Sequence, residues 1–133
     1  MSVTVLNPIR EYIDVDFAFL QHPITQNVTI KKDYNAIKQS VINLLTIKKY
    51  DKPFHPEIAP PIEFHLFENY SFLSNIVLSD EIKIYLNLFE PRLNITEVEI
   101  SSPAPNYINC SIIGIIKNTS QPFTIDVLVN RLR

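Results

Sequence analysis

The tripeptide Glu90-Pro91-Arg92 places a carboxylate, a rigid turn residue and a guanidinium at the junction between a predicted helix and a predicted strand. Pro91 has no amide hydrogen and its ring clashes with the preceding turn, so the helix must end before it. We therefore expect Glu90 and Arg92 to be displayed at the helix end, where charged groups can act on other molecules.

Two roles for the tripeptide are compatible with its residues. In the first, Arg92 covers the carbonyl groups at the end of its own helix while Glu90 is solvated. In the second, Arg92 forms a bidentate bond with a partner's carboxylate or carbonyl groups and Glu90 accepts a partner's donors. Pro91 would then fix the angle between the two charged side chains.

The histidines and the other carboxylates have no spacing typical of a catalytic or metal site. His55 and Glu57 match the H-x-E of zinc deaminases, but Cys110 is the single cysteine and cannot supply the P-C-x-x-C ligands. We therefore expect no metal and no cofactor. A glycosidase needs two carboxyl groups on opposite sides of a sugar cleft. No spacing marks such a pair among the candidates, which are Glu57, Glu63, Glu68, Asp80, Glu81 and Glu90.

The composition excludes several classes of protein. The length of 133 residues suits one domain, 1–133, with residues 1–12 as an extended arm. A net charge of -2 argues against a general nucleic-acid binder, and one glycine permits no glycine-rich phosphate loop. One cysteine permits no intrachain disulfide. No apolar run approaches the roughly 18 residues that span a membrane, so we expect no membrane partner and no signal peptide.

Apolar periodicity predicts two main helices and a short one. The first runs from Tyr34 to about Lys48 with Asp33 as its N-cap, and the second runs from Ser74, as N-cap, to Phe89. The short helix covers residues 62–70, after a proline-rich loop. The residues expected to pack in the core are Ile37, Val41, Leu44 and Leu45 of the first helix, Leu78, Ile82, Tyr85, Leu86 and Phe89 of the second, and Phe54 and Ile58 of the loop.

A second apolar row on the long helix, Ile76, Ile84 and Leu88, lies outside this predicted core face. A helix that is apolar on two sides is either wholly buried or has a partner. We expect the row to pack against the protein's own sheet, with a partner protein as the alternative.

Alternating apolar residues predict the strands. Residues 13–19 read as a short half-buried strand and 27–31 as a second short strand or a link. Residues 96–100, 107–116 and 123–130 predict an antiparallel meander, in which Gly114 indicates a bulge or a close helix crossing. The sequence therefore predicts an α+β fold: an N-terminal extended segment, then two main helices and a short helix packed on a three- to four-stranded antiparallel C-terminal sheet.

Several segments carry a resemblance to a known family, and they are Asp14 to Phe19, Asn35 to Thr46, Lys52 to Glu57, Leu66 to Glu68, and Glu90-Pro91-Arg92. Together they resemble the gene-25-type baseplate wedge proteins of contractile-tailed phages, a family that includes the type VI secretion component TssE. The C-terminal strands match more loosely. The chain departs from the family where it has Tyr50 in place of the usual glycine, and Ile58-Ala59 in place of the usual Phe-Gly.

The resemblance implies a structural virion protein of the tail baseplate, assembled in the host cytoplasm and arranged with sixfold symmetry around the tail tube. It implies that Glu90, Pro91 and Arg92 dock on a helical core bundle of other wedge proteins. It also implies that the first ring of tail sheath protein adds strands to the C-terminal sheet and so starts sheath polymerisation. An antiparallel sheet with free edges is a suitable template for such β-augmentation.

The family also carries a lysozyme label, which implies hydrolysis of peptidoglycan. Because the residues show no acid and nucleophile pair, we expect no enzymatic activity, with a lysozyme as the alternative. For the assembly role, we expect Arg92→Ala to leave a folded monomer that cannot join the baseplate wedge. The two function classes are therefore an assembly module and a muramidase.

Overall fold

The predicted α+β fold is confirmed by a computed structural model, which describes residues 11–65 and 71–130. Residues 1–10 of the predicted arm and residues 66–70 of the predicted short helix lie outside the described ranges. Strands β1 and β2 form a two-stranded antiparallel ribbon, and β3, β4 and β5 form an antiparallel meander in that order. The elements are β1 (Ile13–Val15), β2 (Ile30–Lys32), α1 (Asp33–Thr46), α2 (Ile62–His65), α3 (Phe72–Phe89), β3 (Leu93–Ser101), β4 (Tyr107–Ile116) and β5 (Pro122–Asn130).

Helix α3 ends where Pro91 predicts, but it begins earlier than expected. Its N-cap is Ser71, whose hydroxyl accepts a hydrogen bond from the Ser74 amide at 3.1 Å. The predicted N-cap, Ser74, is therefore a residue of the first turn. The predicted core face is confirmed by the buried residues Leu78, Ile82, Tyr85 and Leu86, against which Phe89 packs half-buried.

Helix α1 begins at Asp33, whose carboxylate does not cap the helix. Asp33 Oδ1 instead accepts from the amide of Tyr12 at 3.0 Å, and the Asp33 amide donates to the Tyr12 carbonyl at 2.7 Å. Asp33 thus fastens the start of α1 to the residue before β1, and its backbone takes a left-handed φ of 43° there. The predicted core residues of α1 are confirmed, since Ile37, Val41 and Leu45 are buried and Leu44 packs on the core.

One face of the meander meets the helices and supplies the rest of the core. The expected alternation in β3 is interrupted, because a β-bulge at Thr96 shifts the register and leaves Thr96 exposed. Gly114 lies beside this bulge. A Cβ atom at Gly114 would stand 2.6 Å from the Asn94 carbonyl oxygen, so the close approach is between two strands and not with a helix.

The apolar row of α3 and one loop residue do not pack as predicted. Ile76, Ile84 and Leu88 do not pack against the protein's own sheet but are 45%, 70% and 70% exposed, because α3 contacts the core through its other side. Phe54 is 98% exposed, whereas its loop neighbour Ile58 is buried as expected. Within residues 11–65 and 71–130, no helix is both long enough and apolar enough to cross a membrane.

Candidate partner-binding site

Glu90 lies immediately after the last residue of α3 and is buried, with 2% of its surface exposed. Its amide continues the helical hydrogen-bond pattern by donating to the Leu86 carbonyl at 2.7 Å. The Ser40 hydroxyl of α1 donates to Glu90 Oε2 at 2.5 Å. Our expectation that Glu90 is displayed to solvent is therefore wrong: its side chain turns back between the two main helices.

Arg92 binds both carboxylate oxygens of Glu90 and a second acid. Its Nε donates to Glu90 Oε1 at 2.6 Å and its Nη2 to Glu90 Oε2 at 2.9 Å, while Nη1 donates to Asp14 Oδ2 at 3.0 Å. The guanidinium carbon lies 5.6 Å from the centre of the Tyr12 ring. Arg92 thus joins the end of α3 to the β1 ribbon. Pro91 between the two charged residues is exposed.

Arg92 keeps some capacity for a partner. Its side chain is 22% exposed, and a guanidinium has five N–H donors, of which three bind residues that the structure describes. The two remaining donors are on Nη1 and Nη2, the nitrogens farthest along the side chain. The structure therefore brings all three residues of the tripeptide together, but Arg92 and Pro91 are accessible and Glu90 is not.

The pKa values of this cluster follow from its contacts. Burial on its own would raise the pKa of Glu90, but the hydrogen bonds from Arg92 and Ser40 and the positive charge of Arg92 outweigh it, so the pKa is lowered. The hydrogen bonds to Glu90 are also the main reason that the pKa of Arg92 is raised. Both side chains therefore remain charged at neutral pH, and Glu90 holds no proton to give as a general acid.

The side of the β1 ribbon that faces away from Arg92 carries three exposed apolar residues beside Lys32. Asp14 faces inward to Arg92, while its neighbours Ile13 and Val15 are 52% and 49% exposed, as is Ile30 opposite, at 53%. Residues 13–19 are therefore not a strand with a buried apolar side: only 13–15 form a strand, and the side with the acid faces the protein. The bond to Arg92 stabilises this orientation of Asp14.

Sequence reasoning missed Ser40 and Asp14 as parts of the site. Ser40 has a detectable signal, since it lies three residues after Ile37 and so interrupts the apolar face of α1 with a hydroxyl. Asp14 has none, because a charged residue in an alternating strand is normally assigned to the solvent side. Its role depends on Arg92, which lies 78 residues away along the chain.

The two outer edges of the meander differ in how their backbone groups are satisfied. At the β3 edge, Ser79 and Lys83 of α3 donate to the carbonyl groups of Val98 and Thr96, at 2.5 Å and 3.0 Å. Further along α3, the Asn87 side chain accepts from the amide of Ile95 at 3.4 Å. From Ile95 to Val98, the β3 edge is thus lined by side chains of α3.

At the β5 edge, the hydroxyl of Tyr34 donates to the Thr124 carbonyl at 2.7 Å. Alternate residues of an antiparallel strand point their peptide groups to the same side, so those of Asp126, Leu128 and Asn130 also point away from β4. Among the described residues, none makes a hydrogen bond to these three outer peptide groups. With respect to residues 11–65 and 71–130, the second half of β5 is therefore an open edge.

Two grooves and the grouping of possible metal ligands can be compared with what a glycosidase or a metal site requires. No group of three or more His, Cys, Asp or Glu side chains there could hold a metal ion. One groove of about 280 Å³ between the ribbon and α1 is lined without any carboxylate; its polar lining includes Lys38 and Asn43. A second groove contains one carboxylate, Glu81, which is bonded to His65 at 2.9 Å. Neither groove presents the two opposed carboxyl groups of a glycosidase.

The comparisons with known proteins support the fold but identify no family. No protein-family profile and no curated protein matches the sequence. Solved structures do match, and one is the crystal structure of a proposed tail lysozyme from Geobacter sulfurreducens. It superposes with a TM-score of 0.67 at 19% sequence identity, over 74% of this chain and 91% of that chain. At this identity, the likeness shows a shared fold.

Proposed function

We propose that the protein is a structural component of a contractile-tail baseplate wedge that docks on the wedge core bundle and starts sheath polymerisation by accepting a strand at β5. The observation that carries the proposal is the open second half of β5, at Asp126, Leu128 and Asn130, in a fold shared with a tail-associated protein. An open edge of backbone donors and acceptors is what β-augmentation requires.

The tripeptide contributes to docking through two of its residues. Arg92 offers its two remaining N–H donors to carbonyl or carboxylate groups of the core bundle, and Pro91 sets the direction in which they point. Glu90 acts indirectly: its bidentate bond holds the guanidinium in one orientation. Holding a flexible Arg in place lowers the entropy lost when a partner binds.

The strand-addition role is tested by removing one outward donor from β5. Leu128→Pro deletes an N–H that points away from β4, so the meander retains its own hydrogen bonds. We expect baseplates assembled with this variant to lack sheath in electron micrographs. The matched control, Leu128→Thr, keeps the N–H and should assemble normally. Full-length sheaths on baseplates that contain the Leu128→Pro variant would contradict the assignment of β5.

A lysozyme is the second candidate function, favoured by the description of the Geobacter sulfurreducens protein. It would need a protonated acid, and the buried carboxyl of Glu90 is ionised by its contacts with Arg92 and Ser40. The test is release of soluble fragments from purified peptidoglycan by the full chain. Activity that disappears on substituting one carboxylate, such as Glu81→Gln, would replace the structural assignment.

A further inference from the structure

The long helix α3 lies beside β3 and directs a row of three polar side chains at that strand. Ser79, Lys83 and Asn87 follow one another at intervals of four residues, so they project from one side of the helix. Each is bonded to a backbone group of β3, as described above. We name these three residues the edge row.

The groups that the edge row engages are those that an added strand would use. The side chains of α3 reach the Val98 and Thr96 carbonyl groups and the Ile95 amide, while β3 pairs with β4 on its other side. The β-bulge at Thr96 further disrupts the edge, because bulges interrupt the regular spacing of donors and acceptors.

We propose that the edge row closes the β3 edge and so restricts strand addition to β5. A sheet with two open edges can pair the β5 edge of one copy with the β3 edge of the next. Such a head-to-tail contact leaves an unpaired edge on each end copy, so further copies can add and build rings or filaments of the protein alone. The edge row prevents this self-assembly while leaving β5 free for a strand from another protein. This closure concerns the sheet itself and does not depend on the baseplate assignment.

The decisive variant is Ser79→Ala/Lys83→Met/Asn87→Ala in the full chain, which removes the polar groups and retains helix-compatible side chains. We expect the wild type to sediment as a monomer and the triple variant to form oligomers that grow with protein concentration. Adding Leu128→Pro, which blocks the β5 edge, should return the triple variant to a monomer. Adding Leu128→Thr, which keeps the outward N–H, should not.

Three results would overturn the closure. They are a folded triple variant that stays monomeric at the same concentrations, oligomers that persist after Leu128→Pro, and a wild type that already self-associates through β3. If circular dichroism shows that the triple variant is unfolded, the single variant Lys83→Met is judged by the same criteria. The Lys83 side chain is only partly buried, so this single change leaves the core intact.

Discussion

Arg92 donates hydrogen bonds to both carboxylate oxygens of Glu90, from Nε to Oε1 at 2.6 Å and from Nη2 to Oε2 at 2.9 Å. Only Pro91 separates the two residues in the chain. Glu90 is 2% exposed and also accepts from Ser40. A buried carboxylate is stable only when it is paired and hydrogen-bonded. The tripeptide therefore stabilises the end of α3 through bonds within its own chain, whether or not a partner binds to it.

Arg92→Met should destabilise the monomer substantially, since it leaves the buried Glu90 carboxylate without its cation. Breaking a buried ion pair in this way costs about 3–5 kcal/mol, which is a large part of the roughly 5–15 kcal/mol that stabilises a domain. The same reasoning applies to Arg92→Ala, so we expect the folded monomer of that variant to be less stable than the wild type. Urea unfolding of wild type and variant measures the difference.

The double variant Glu90→Gln/Arg92→Met provides the control for that measurement. With both charges removed, no ion remains buried without a partner, so the double variant should lose less than the sum of the two single changes. A loss in the double variant equal to the sum of the two single losses would show that Glu90 and Arg92 act independently. A loss below about 1 kcal/mol for Arg92→Met, the range of an exposed pair, would show that the pair is effectively solvated.

Acid should destabilise the wild type through Glu90. Contacts with Arg92 and Ser40 lower the pKa of Glu90 in the folded protein below its ordinary value of 4.5, despite burial. A lowered folded-state pKa adds stability that is complete above the unfolded-state pKa and is lost as the pH falls through the folded-state pKa. The free energy of unfolding should therefore decrease as the pH is lowered below about 4.5. Glu90→Gln should be less stable at pH 7 but have a shallower acid dependence; parallel curves for the two proteins would contradict this origin.

Local patterns predict the elements of this fold because each is determined by residues close in sequence. Pro91 fixes the end of α3 through its own ring, and the alternation of residues 107–116 predicts β4 at its observed bounds. The bulge in β3 is less predictable, because Thr96 fits the alternating pattern and only the approach of Gly114 from the next strand shows where the register shifts.

Sequence spacing did not predict how the side chains around the tripeptide are arranged. Pro91 correctly indicates a turn, yet the turn directs Glu90 inward, because Ser40 and Arg92 provide donors there. Of these two donors, Ser40 lies 50 residues away from Glu90 in the sequence. Burial of a charge depends on such distant partners, and sequence spacing carries no information about them.

Gly114→Ala should destabilise the meander, although alanine usually replaces glycine in a strand without loss. The new Cβ would lie 2.6 Å from the Asn94 carbonyl oxygen and 3.2 Å from the Ile95 Cα, both backbone atoms that cannot rotate away. Overpacking of this kind costs about 1–3 kcal/mol. Thermal unfolding of the purified chain measures the loss, with the exposed substitution Ile115→Ala in the same strand as a reference. A Gly114→Ala protein as stable as the wild type would show that β3 can move aside.

Asp14→Asn should loosen the β1 ribbon while leaving the rest of the fold intact. It weakens the bond from Arg92 Nη1, which links the ribbon to the segment between α3 and β3, and the pair is partly exposed at 22% and 36%. The global loss should therefore stay below about 1 kcal/mol. Gln39 still bonds to the Val15 carbonyl, so the ribbon should open more often without detaching, and its amides should exchange up to about fivefold faster.

Asp16→Asn is the matched control for that measurement. Asp16 pairs with Lys31 inside the ribbon at 3.3 Å and makes no contact with Arg92. Its loss should not change how the ribbon is attached to the body of the protein. Hydrogen exchange that rises equally in the two variants would mean that the Asp14 to Arg92 bond has no special part in attachment. A selective rise in Asp14→Asn would identify this bond as the link between the ribbon and the tripeptide.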